Sequence, residues 1–205
     1  MQGKHNSGSY VINDYMTSPD KNIEYEKIKT PSDLVNFMDN IMYGFVGKNG
    51  KKYTQQDKEW GQDWYSQCVV QPGEDLLRTR CGTCWDQVEL ERDWFEKHNY
   101  EFKTIFIWFG IPEPSNYPTH TFLAFKDNNK WFWFEHSFAA YRGIFEFNSL
   151  KELIEHVKLK QLEYAIESGV AKKEDIKMLK SYEYTKPKAN LGVDEYIKHV
   201  TKNAI

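Results

Sequence analysis

The chain has 205 residues, three cysteines and a formal net charge of −3. A chain of that length can bury a core without disulfide staples, and its charge balance lacks the basic excess of a dedicated nucleic-acid binder. No apolar run approaches the roughly 18–20 residues of a membrane span, so neither nucleic acid nor membrane is expected as a partner.

Residues 1–21 are rich in Gly, Ser and Asn and are expected to form a flexible start without the apolar centre of a signal peptide. An odd cysteine count without such a signal points to a reducing, cytoplasmic setting. Residues 22–205 are expected to form one domain. Thr30 and Pro31 mark the start of a helix that carries Leu34, Phe37, Met38 and Ile41, with Gly44 ending it. Asn49-Gly50 between Tyr43 and Tyr53 signals a hairpin. Residues 54–72 read as a loop with a short helix bearing Trp60, Trp64 and Tyr65. Thr83 and Asp86 form a capping-box pair at the start of a helix running from Cys84 to about Lys97.

Residues 101–109 are apolar on both parities, as in a central strand covered on both faces. Pro112, Pro114 and Pro118 mark a surface loop. Residues 119–125 and 130–135 then flank Asp127-Asn128-Asn129 as a β-hairpin. A further strand is expected over 143–147, and a long helix from Ser149 to about Ser168. Residues 171–181 and 193–203 read as two more short helices, making the region from about 148 helical. The order predicts an α+β fold, with a Cys-bearing helix packed on an antiparallel sheet.

Cys84 carries the chemistry. It stands in the first turn of its helix, where unpaired backbone N–H groups and the helix dipole favour an anion such as a thiolate. A nucleophilic cysteine also needs a base, and the base an orienting group. His120 opens a strand and is the best base. His5, His98, His156 and His199 sit in solvated or capping positions, and His136 is the competitor. A two-residue turn at Asn128-Asn129 puts Glu135 diagonal to His120 on one face, where a carboxylate can accept the Nδ1–H. A three-residue turn would separate them. Cys84 N–H supplies one oxyanion donor. Gln67, Gln62 and Trp64 are candidates for the second. Trp85, Trp64 and Trp60 are candidate substrate contacts.

Gly82-Thr83-Cys84-Trp85-Asp86 at a helix start, His120 on a strand and Trp131 to Glu135 on the next strand together resemble the transglutaminase-like superfamily. The spacings of 36 and 15 residues between Cys84, His120 and Glu135 agree with that order. The resemblance covers roughly residues 60–147. It implies a papain-like core, Cys84 as nucleophile, His120 as base and Glu135 as orienting acid, a position where Asp is the usual residue. It implies cysteine-dependent acyl transfer on a protein or peptide amide or ester, with no metal or organic cofactor. Hydrolysis is slightly favoured over cross-linking.

Other readings of the same residues are weaker. Cys81 and Cys84 form a C-x-x-C, but 74–80 does not read as the buried strand that a thioredoxin-like motif follows. Cys68, Cys81 and Cys84 are one ligand short of a structural zinc site. In papain itself the His lies far further downstream, where only His199 stands, in a helix. A non-catalytic binding module on the same fold is the main alternative to an enzyme. Arg78 and Arg80 read as solvated or ion-paired with Glu74 or Asp75.

Overall fold

A computed structural model describes residues 24–113 and 115–205. The expected flexible start, 1–21, lies outside the described residues. The fold is mixed α+β, as the order of elements predicts.

A five-stranded antiparallel sheet organises the molecule. Its order is β7-β6-β5-β4-β8, built from β4 (Glu101–Trp108), β5 (His120–Asp127), β6 (Lys130–Glu135), β7 (Gly143–Phe147) and β8 (Lys180–Tyr184). Alternation of side chains feeds two cores. Phe106, Leu123, Phe125 and Phe134 pack with Val88, Trp94 and Phe95 of α4 (Cys84–Lys97). On the other side, Ile105, Ile107, Phe122, Ala124 and Trp133 pack with Leu153, Ile154 and Val157 of α5 (Leu150–Glu167). Both parities of β4 are therefore buried. A one-residue slip would exchange the two faces, which fixes its register.

A second, three-stranded sheet lies beside the start of α4. It has the order β2-β1-β3, from β1 (Met42–Val46), β2 (Lys52–Thr54) and β3 (Cys81–Gly82). β1 pairs antiparallel with β2 and parallel with β3, setting Tyr43 against Gly82. Here the structure corrects the expectation for Gly44. The first helix, α1 (Pro31–Met38), stops earlier, and Gly44 lies within β1. A Cβ there would sit 2.5 Å from the Tyr53 carbonyl oxygen and 2.6 Å from Cys81 Sγ. The residue is glycine because two chains close on it, not because a helix ends there.

Two short helices lead to Cys84, α2 (Trp60–Gln67) and α3 (Gly73–Thr79). The C-terminal region also differs from expectation. Residues 173–178 form a 3-10 turn, and 180–184 form β8 on the free edge of β4 instead of continuing a helix. Of the two short helices expected after α5, α6 (Val193–Val200) forms, and its Tyr196 ring stacks on Trp85 at 4.3 Å. Among the described residues, no helix is long and apolar enough to cross a membrane.

Candidate active site

Three elements converge on one cleft of about 520 Å³, bordered by Cys84, His120 and the segments 113–119 and 137–142, Pro114 lying outside the described residues. Each element arrives there for a local reason. The start of α4 is fixed by Asp86, whose carboxylate accepts from Thr83 N–H at 2.8 Å and Thr83 Oγ at 3.1 Å. Its other oxygen takes Gln71 N–H at 2.7 Å. Burial pushes Asp86 up to about 7 against the pull of those bonds. The carboxylate so joins the segment before α3 to the residue before the nucleophile. Gly82 lets the chain pass, since a Cβ there would meet Leu76 Cδ1 at 2.6 Å.

The β5–β6 hairpin supplies the other two groups. Asn128 and Asn129 have φ of 47° and 65°, the left-handed pair of a two-residue type I′ turn. The register that results pairs Leu123 with Phe134 and Asp127 with Lys130. It brings His120 Nε2 to 2.7 Å from Glu135 Oε2. The nitrogen differs from the one expected. Nε2 faces the acid, which leaves Nδ1 for the thiol. The His120 ring and the Cys84 side chain border the same cleft, and Cys84 is close enough to help hold the proton on the ring.

Glu135 is saturated with donors. Oε2 also receives Trp133 Nε1–H at 3.2 Å, while Oε1 receives Ser137 Oγ–H at 3.1 Å and Phe138 N–H at 2.7 Å. Four donors converge on the carboxylate of a residue only 2% exposed and fix its position. Burial disfavours charge on His120, but the Glu135 carboxylate and the Cys84 partner outweigh it and push the ring up to about 10. Two turns along α4 from Cys84, Glu91 is also buried. Burial and the charge of Glu135 raise it well above the usual carboxylate range.

The aromatic candidates form one wall. Trp60, Trp64 and Trp85 all border the cleft, with ring separations of 6.0 Å between the first two and 5.2 Å between the last two. Trp85 is 2% exposed and its Nε1–H is taken by Thr119 Oγ at 3.2 Å, so it supports the wall from behind. Trp60 and Trp64 are half-buried and present the surface. Gln67 is not brought to the cleft. Its carbonyl takes the Lys48 N–H, and its side chain leaves beside Gly47. Gln62 lies on α2, with its side chain outside the described atoms.

Tyr43 is the site residue that sequence reasoning missed. It borders the cleft, and its phenol lies close enough to the Cys84 side chain to be perturbed by it. The Asn-Gly turn that follows β1 was the available signal, because it makes β1 a strand. The parallel pairing with two-residue β3 left no pattern to read.

The remaining candidates have structural partners. His136 Nδ1 lies 2.8 Å from Gln87 Oε1, and its Nε2 lies 3.2 Å from Asp39 Oδ1. Gln87 in turn donates to the Gly82 carbonyl at 3.0 Å. Cys68 and Cys81 are buried free thiols, and burial pushes both up, Cys81 to about 11. Arg78 pairs with Asp75 at 2.9 Å, and Arg80 lies over the Phe37 ring at 4.8 Å. Among the described residues, no group of three or more His, Cys, Asp or Glu is arranged to hold a metal.

Compared with known protein families and with curated proteins, the chain matches none. The functional reading rests on geometry and chemistry.

Proposed function

We propose that the chain is a cysteine-dependent acyl-transfer enzyme with a transglutaminase-like, papain-type core, acting on a peptide or protein amide or ester. The observation that carries this reading is His120 standing between two partners, Cys84 on one side and the donor-saturated Glu135 on the other. Glu135 holds Nε2–H and so orients Nδ1 toward the sulfur. This is the division of roles that a base and its orienting acid require.

In the reaction, Cys84 Sγ adds to the substrate carbonyl carbon and the π pair moves to oxygen. The Nδ1 proton of the His120 imidazolium passes to the leaving amine or alcohol as the C–N or C–O bond breaks. The acyl-thioester is then released when water or an amine, deprotonated by His120, attacks it. The Glu at 135 in place of Asp is accommodated because its longer side chain reaches Ser137 and Phe138 N–H as well as the ring.

Alkylation by iodoacetamide tests the site. The wild type reacts fast near about pH 6, and His120→Ala slows it at least about tenfold there while matching it at alkaline pH. Equal rates in the two proteins across the range would leave a binding module with an ordinary thiol.

A further inference from the structure

We infer that the Tyr43 hydroxyl is the second donor of the oxyanion hole, acting beside the Cys84 backbone N–H. The inference rests on the acyl-transfer reading and adds a residue to it. Acyl transfer needs donors aimed at the oxygen on which charge develops. The Cys84 N–H is one, because the first N–H groups of a helix have no partner within it. Among the sequence candidates for the other, Gln67 lies outside the cleft, the Gln62 side chain lies outside the described atoms, and Trp64 stands in the aromatic wall between Trp60 and Trp85.

Tyr43 meets the requirement through the fold. The parallel pairing of β1 with β3 sets it opposite Gly82, two residues before the nucleophile. Gly44 makes that approach possible by letting β1 pass against both Tyr53 and Cys81. The Tyr43 ring lies 6.2 Å from Trp60 and faces the same cleft as Cys84 and His120. Its phenol borders the same cleft as Cys84 and is perturbed by that side chain, so a carbonyl carbon bound to the sulfur carries its oxygen toward the Tyr43 O–H. Burial and the neighbouring Cys84 raise the phenol well above its ordinary range, so it keeps a proton to donate.

The step balances without further reagents. As the S–C bond forms, the carbonyl π pair moves to oxygen, and that oxygen accepts bonds from Cys84 N–H and Tyr43 O–H. Neither proton is transferred. Collapse restores C=O and expels the leaving group, which takes its proton from the His120 imidazolium.

Two probes separate this role from an effect on the thiol. Iodoacetamide is attacked at a saturated carbon and builds no oxyanion, whereas p-nitrophenyl acetate is attacked at a carbonyl. In Tyr43→Phe, acylation by p-nitrophenyl acetate should fall about 100-fold, while alkylation by iodoacetamide, compared at alkaline pH where the thiol is ionised in both proteins, stays within about threefold of wild type. Normal alkylation also certifies the folded site, and Tyr43→Met, read in the same way, serves if the Phe variant does not fold. Unchanged acylation, a parallel loss of both reactions, or faster acylation from an uncovered thiol would each overturn the assignment. Failure of the acyl-transfer reading looks different: the wild type itself would show no His120-dependent reaction with either probe.

Discussion

Glu135 shows how much a single side chain can organise. It receives a ring nitrogen, an indole, a hydroxyl and a backbone N–H, and the last two come from the segment that lines the cleft. The ion pair has a measurable signature. His120 is held up at about 10, against an ordinary value of about 6.5. A folded-state pKa raised above the unfolded value stabilises fully below the unfolded value and less as pH rises through the folded one. Denaturation midpoints should therefore fall between about pH 6.5 and 10. In Glu135→Gln the fall should be shallower, because a neutral amide no longer holds the proton on the ring. Identical slopes would assign the pH dependence to other groups. The pairing of His120 with Glu135 was legible in the sequence, since it follows from strand alternation and a two-residue turn. Which ring nitrogen meets the acid was not, because that depends on the ring's rotation at the end of a strand.

At the scale of elements, legibility followed the strength of local signals. Helix α4 is marked by Thr83 and Asp86, and the β5–β6 hairpin by its two asparagines; both stand where the residue pattern puts them. β3 is two residues long and exists only because β1 lies beside it, so no pattern announces it. β8 carries Lys180 and Glu183 at a sheet edge, and Glu183 is held by Lys103 at 2.6 Å across the sheet. Its partner is remote in sequence, and its charges read as a helix surface. The hairpin turn also gives a direct energetic test. Asn129 sits at φ 65°, a region that glycine enters freely and β-branched residues avoid. Asn129→Val should lower stability by about 1–2 kcal/mol and Asn129→Gly should not, as read by urea denaturation. Equal losses would mean that the Asn side chain, not the backbone angle, sustains the turn.

For the whole molecule, the decisive contact joins distant parts of the chain. Tyr196 of α6 is fully buried, stacks on Trp85 and meets Phe106 edge-on at 6.2 Å. Helix α6 is thus part of the wall behind Cys84. Tyr196→Ala should cost about 3–5 kcal/mol and slow acylation of Cys84 by p-nitrophenyl acetate, with thermal denaturation and the burst rate as readouts. A large stability loss with an unchanged burst would confine Tyr196 to packing.

The same stack sets a timetable for the cell. The ribosome makes Trp85 and the nucleophile well before it makes Tyr196, and domains order themselves as their parts emerge. Until α6 docks, the aromatic wall has no backing and the start of α4 lacks its support. The surroundings of the Cys84 thiol are thus complete only after the chain has been made as far as Tyr196.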